Sequence, residues 1–506
     1  MRALRARHVF AAALAIGVVA LIPATASAHP EACAETNALT GGPSAEWLAD
    51  WTTENEGCIS QAAQAGFDDS GATLTAGQTD GTDNLTLLSS KPKPIPHEVE
   101  ADFNSDVAFE NGYAYVGNYD GVQIWDVRDG QEPALAAIIH CPGSQNDVTV
   151  NDGILVTSTD SRRTNDTCNS TATTTPADPS TWEGLKVFDV RNPYKPVHRK
   201  SVRTDCGSHT HTVLPERDRL IIYVQSYDVA AGRYLCDDES QTGHDQISVV
   251  SIPKANLAGA RVVAEPKIFP DGGNDGTSGT LRKTTGCHDI TVYQEKGLAA
   301  GACTGEGVIF DIRNPVRPKV LATIEDTNFA FWHSATLSND GKRVLFTDEL
   351  GGGSAATCNP TIGQRKGADA IYDITDPANP RFLSYFKIPR TQNNSENCVA
   401  HNGNLIPNKK GRDILIQSWY QGGVSVIDWT KPKKIKEIAW FDRGPYGETV
   451  PPAPLAGFWS SYYYNGYIYG SEIQRGFDVF ELDDPAIKGA DKFEYDTLNA
   501  QTQERF

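Results

Sequence analysis

The stretch Gly286–Pro315, GCHDITVYQEKGLAAGACTGEGVIFDIRNP, decides the fold. Ile290 to Tyr293 is apolar and β-branched, the body of a first strand entered through His288 and Asp289. Gln294 to Gly297 is polar and ends in glycine, which takes positive φ at no steric cost, so it reads as a turn. Leu298 to Cys303 runs back, Thr304 to Gly307 turns again, and Val308 to Ile312 is a third strand closed by Arg313-Asn314-Pro315. Proline lacks a ladder donor and fixes φ, so it ends a strand better than it continues one.

The third-strand signature recurs as GVQIWDVRDGQEP from Gly121, GLKVFDVRNPYKP from Gly184, DAIYDITDPANP from Asp369, GVSVIDWTKPKK from Gly423 and GFDVFELDDP from Gly476. A degenerate copy, QISVVSIPK, starts at Gln246. A first-strand signature lies upstream of each copy. A spacing of roughly 40–60 residues with four strands per unit is the mark of a propeller blade. The expected fold is therefore all-β: a seven-bladed β-propeller of four-stranded blades over 84–490, with a tail at 491–506. The last blade lacks a good outer strand after Pro485. Leu85–Ser89 has strand character and precedes the first blade, so it is expected to close the ring from the N-terminal side and remove the exposed edges.

The N-terminal segment 1–28 has a basic head, an apolar run from Val9 to Ile22 and Ala26-Ser27-Ala28, the pattern of a secretory signal peptide. The run is too short to span a bilayer. A secreted, extracellular chain is expected, with no membrane span. Residues 29–83 read as one or two short helices around EWLADWTTENEGCISQAAQAGF, then a Gly/Thr/Asp-rich linker. The full chain carries a formal net charge of −19, and the signal segment holds three arginines and no acids. Loss of that segment makes the remainder more acidic still, which argues against nucleic acid and anionic membranes as partners. Ten cysteines in an exported chain imply disulfides. Cys287 and Cys303 flank one hairpin and are expected to pair. Cys33 with Cys58, Cys141 with Cys206, Cys168 with Cys236 and Cys358 with Cys398 are further expectations.

The pattern I/V-x-D-[VI]-x-[ND]-P, present with variations at Asp126, Asp189, Asp311, Asp373 and Asp428, resembles the LVIVD repeat of secreted bacterial and archaeal β-propeller proteins. The resemblance covers about residues 97–485 and implies the fold far more than any activity. The repeated aspartate itself reads as structural, because it precedes a tight turn whose backbone N–H groups it can accept.

Aligned on the turn that follows, the first strands carry Asp106, Asp147, His211, Asp289, His333, His401 and Ser460 at their leading position. First strands line the central channel, so these positions ring one mouth, and the ends of the second strands return there with Asp348, Glu349 and Glu472. His209 lies two residues before His211, on the same face if the strand has begun. His288 is adjacent to Asp289 and faces the other way unless the strand starts after it. Three imidazoles plus a carboxylate suit copper, zinc, iron or manganese, whereas carboxylates alone suit calcium. The expected divalent transition-metal site is thus drawn from His211, His333, His401, His209 and His288. Glu349, Glu472 or Asp289 is the fourth ligand or general base. The layout is also similar to the selenium-binding and methanethiol oxidase propellers, and that resemblance implies histidine-bound copper. Two functions follow from the residues: a metal-dependent oxidoreductase or hydrolase acting on a small-molecule substrate, or a non-catalytic propeller that binds a protein partner through its rim loops.

Overall fold

Seven antiparallel sheets form a seven-bladed β-propeller. The computed structural model describes residues 74–173, 181–227, 236, 243–277, 282–408, 410–447 and 455–506. The expected signal peptide, the expected helices and the expected Cys33–Cys58 pair lie outside them.

The fourth blade shows the common plan. Asp289–Tyr293, Leu298–Cys303, Glu306–Asp311 and Lys319–Ile324 pair in sequence order, with Gly297 at φ 63° in the first turn. The first three strands are almost wholly buried and the outer one is largely exposed. Inner strands touch neighbouring blades on both faces, which is why they read as continuous apolar runs and not as alternation. Every blade also carries a register shift between its third and outer strands, for example between Ile124 and Trp125 and between Ile309 and Phe310. A bulge there adds right-handed twist and bends the outer strand, which blunts its edge.

The repeated aspartates do what the turn requires. Asp126, Asp189, Asp311, Asp373 and Asp428 each accept the backbone N–H two residues on, at 2.8–3.3 Å. Arg128, Arg191 and Arg313 also pair with the aspartate two residues before them. These pairs are solvent-exposed, so each contributes little beyond shaping the turn.

Ring closure follows the expected route. Leu85–Lys91 pairs antiparallel with Gly476–Leu482 as the outer strand of blade seven, from Leu85 opposite Leu482 to Lys91 opposite Phe477. Two features extend the propeller beyond 84–490. Part of the expected linker is a strand: Thr79–Gly81 pairs with Lys436–Arg443 as a fifth strand on blade six. Edge pairing uses backbone groups alone, so its polar composition is no obstacle. The expected tail is not loose either. Leu498 pairs with Phe109 of blade one, and Asn499 holds both Val150 N–H and C=O of blade two. Thr502 donates to Val213 of blade three, and the backbone of Gln501 and Gln503 brackets Val292 of blade four. The Gln503 side chain bonds Leu337 N–H and C=O, and Phe506 bonds the Asn339 amide, both in blade five. Tyr495 exchanges two bonds with Asn465 of blade seven. All these contacts fall at or just past the far ends of the first strands, so the C-terminal segment closes the channel mouth opposite the histidines.

Four disulfides occur among the described residues: Cys141–Cys168, Cys206–Cys236, Cys287–Cys303 and Cys358–Cys398. The hairpin pair and the last pair agree with expectation. Cys141 with Cys206 and Cys168 with Cys236 do not form. Each partner lies about 30 residues on, so each bridge ties the insertion of one blade to the segment that leaves the outer strand of the blade before it, Cys141 after Ala134–His140 and Cys206 after Val197–Arg203. Removing Cys287 and Cys303 together as alanines should lower unfolding free energy by on the order of 3 kcal/mol, the loop-closure value for a closed loop of this size. A urea midpoint unchanged from the wild type would contradict that. Among the described residues, no helix is long and apolar enough to cross a membrane.

Candidate metal centre at the channel mouth

Four imidazoles line up at the mouth where first strands begin. His209, His288, His333 and His401 come from blades three, four, five and six, with successive ring centroids 4.5, 4.0 and 4.2 Å apart. All four are buried. His288 joins the row because the strand starts one residue later, at Asp289, so it is free of the strand's alternation.

His211, expected as a ligand, is not in this row. The strand of blade three begins at Thr210, so His211 is its second residue and turns toward blade two. There its Nε2 lies 2.8 Å from Thr149 Oγ1 and its Nδ1 2.8 Å from Ser158 Oγ. Both ring nitrogens are occupied, and Asp147 accepts its backbone N–H. His209, just ahead of the strand, takes the place expected for His211. Glu472 is also elsewhere. It accepts from Gly457 N–H, Gln474 N–H, Arg475 N–H and the Arg475 guanidinium, so it anchors the turn that ends the second strand of blade seven.

Glu349 does belong. It follows the second strand of blade five, and its Oε2 lies 3.8 Å from His333 Nε2 while its Oε1 lies 3.6 Å from His401 Nε2. These separations exceed hydrogen bonds. They are near the ~3.3 Å between ligand atoms of a tetrahedral ion with bonds of about 2.0–2.1 Å. His401 Nδ1 bonds the Trp459 carbonyl, which fixes its proton there and leaves Nε2 as a lone pair. That Nε2 and His333 Nδ1 are buried without hydrogen-bond partners. Burial, then the neighbouring imidazoles, hold His333 well below the ordinary histidine value, and burial lowers His401 to about 3. The rings are thus neutral at neutral pH, the form that ligates metal. Burial also raises Glu349 to about 7, against the hydrogen bond from Tyr420.

Tyr420 is a residue the sequence did not flag. Its hydroxyl donates to Glu349 Oε1, and its ring lies 4.4 Å from His401. It holds φ 53°, a left-handed conformation that bulky residues rarely adopt. Gly353 makes room for it: a Cβ there would sit 2.4 Å from the Tyr420 oxygen and 2.9 Å from Glu349 Oε1. Gly353→Ala should therefore push Tyr420 off Glu349 and weaken metal binding by roughly 10–100-fold, the usual cost of disturbing an outer-shell partner. Gly352→Ala is the control, since Gly352 has positive φ but open space around it. Equal affinities in the two variants would contradict this role.

At the other end of the row, His209 Nδ1 bonds Asp160 Oδ2 at 2.7 Å, and His288 Nδ1 bonds Asp289 Oδ1 at 3.1 Å. Asp289 stands behind the imidazole and is raised to about 7 by burial and by Asp147. Tyr227 and Phe331 wall this side, each with its ring between 4.7 and 5.6 Å from His209 or His288. Leu350, Ile362, Trp459 and Ile473 form an apolar cluster with Tyr420. Trp332, by contrast, packs on Phe329, Phe346 and Tyr372 between blades and is structural. His244 lies on Asp205, away from the row, and His140 is exposed against Asp120.

The fold and site define a propeller with a histidine-rich channel mouth. No protein-family profile matches the chain. No curated protein matches it either. Among solved structures it is similar to a functionally unknown protein from Desulfotomaculum acetoxidans DSM 771, with a TM-score of 0.42 and 13% identity over 66% of this chain and 85% of that one.

Proposed function

We propose that the channel mouth holds a divalent transition metal on His333, His401 and Glu349, and that the chain is a secreted, LVIVD-like propeller enzyme acting there on a small molecule. The observation that carries this is His401: its Nδ1 is spent on a backbone carbonyl, and its Nε2 is buried, unpartnered and opposed to a carboxylate. An unmet polar atom in the interior costs about 1–3 kcal/mol, and a metal ion relieves that cost. Imidazole donors with one carboxylate favour copper, zinc, iron or manganese over calcium. A metal so bound polarises a substrate oxygen or acidifies water, or, as copper or iron, exchanges electrons. The residues themselves orient and exclude. Tyr420 steadies Glu349, the aromatic and aliphatic walls keep bulk water out, and the C-terminal segment shuts the opposite mouth. Disulfides in four places agree with export into an oxidising medium.

Elemental analysis of the secreted protein tests the reading. Stoichiometric transition metal should be retained in His211→Ala and lost in His333→Ala. Metal-free wild-type protein, or calcium alone, would support a non-catalytic binding propeller instead.

A further inference from the structure

The row of histidines is too wide for one ion. Two sets of three ligand atoms lie within 4.8 Å of one another at this mouth: His288, Asp289 and His333, and His333, Glu349 and His401. Among the described residues no set joins the two ends, and His333 is the one residue in both.

The half of the row away from Glu349 is built as a metal site in its own right. His209 Nε2 and His288 Nε2 face each other at 2.9 Å. Each ring is oriented from behind by a carboxylate on its Nδ1, Asp160 for His209 and Asp289 for His288. Asp289 has its other carboxylate oxygen, Oδ2, buried without a hydrogen-bond partner. Ligand atoms on a tetrahedral ion lie about 3.3 Å apart for bonds of about 2.0–2.1 Å, and it is His288, Asp289 and His333 that offer three within 4.8 Å of one another, while His209 braces His288. His333 adds a buried Nδ1 with no hydrogen-bond partner beside a Nε2 that faces Glu349. To serve two ions at once His333 would be an imidazolate, its one ring proton released to solvent as the ions bind.

We propose that the mouth is a two-metal site, with a second ion on His288, Asp289 and His333 and with His333 shared between the two. This rests on the single-ion reading above and extends it. His209, held by Asp160 and hydrogen-bonded to His288, is a positioning residue for the second ion, while Glu349 and His401 belong to the first. A substrate would then meet two cationic centres along one wall, which suits a small molecule that presents two oxygen or nitrogen donors, or one bridging oxygen, to the pair.

Copper(II) is the probe, because it stands highest in the affinity order for nitrogen and oxygen sites and so is the most permissive test. The full chain is stripped with chelator and loaded with copper(II) against a competing chelator. Ions are then counted per chain in wild type and in His333→Ala, which subtracts any ion held elsewhere on the surface. The expected difference is two. His288→Gln and His401→Gln should each lose one of the two, and the doubly loaded protein should show a copper resonance weakened by coupling between the ions. Near-ultraviolet circular dichroism of the metal-free variants confirms that each is folded. A difference of one ion that His288→Gln keeps overturns the two-metal site and leaves the single-ion site standing. A difference of zero overturns both.

Discussion

His401→Ala should lower the affinity of the first ion by at least about 100-fold, since even disturbing an outer-shell partner of a metal ligand costs roughly 10–100-fold. The residue supplies a lone pair already directed by the Trp459 carbonyl. No rotamer search or deprotonation is needed at neutral pH, because burial has lowered its pKa to about 3. Alanine removes the ligand and leaves the Glu349 carboxylate and the Tyr420 hydroxyl facing a small cavity. His211→Ala is the matched comparison: an equally buried imidazole lost from the same channel, with its two hydrogen bonds to Thr149 and Ser158. It should cost stability and spare metal. A competition titration that ranks the two variants equally would contradict the assignment.

Truncation after Tyr495 should destabilise the propeller by on the order of 5 kcal/mol. The segment removed supplies backbone or side-chain hydrogen bonds to Phe109, Val150, Val213, Val292, Leu337 and Asn339, in five different blades. Each such bond contributes about 0.5–1.5 kcal/mol net. A folded domain has only about 5–15 kcal/mol in total, so the loss is a large share. It also opens the far mouth of the channel to water. The urea midpoint should fall sharply, and the amides of Val150, Val292 and Leu337 should lose protection against exchange. An unchanged midpoint would mean that the segment does not dock in solution.

The propeller was legible because its signal is repeated. One Gly-x-x-x-x-Asp-x-Arg-Asn-Pro string is weak, but the same turn chemistry at Asp126, Asp189 and Asp311 cannot arise from separate local accidents. Ring closure by Leu85–Lys91 was legible for a complementary reason, the want of an outer strand after Pro485. The C-terminal segment was not. It binds through the amides of Asn499 and Gln503 and through main-chain atoms, none of which leaves a hydrophobic period.

The candidate site was legible to within two residues, and where the strand begins decides which of them faces the row. His211 and His209 exchange roles because blade three starts its strand at Thr210, whereas blade four starts at Asp289 and frees His288. Glu349 and Glu472 occupy equivalent positions after or at the end of second strands. Arg475 and three backbone N–H groups satisfy Glu472, and nothing comparable surrounds Glu349 except Tyr420. Tyr420 and Asp160 were missed because a lone tyrosine in WYQGG and a lone aspartate past a strand end carry no pattern. The one cue was the two glycines that let the Tyr420 turn form.

The most direct test is X-ray diffraction from crystals of the protein at the absorption edge of the metal that elemental analysis finds in it. The expected result is an anomalous peak about 2.0–2.2 Å from nitrogens of His333 and His401 and from a Glu349 oxygen. Crystals whose channel mouth shows no anomalous signal, in protein that holds metal by elemental analysis, would contradict it.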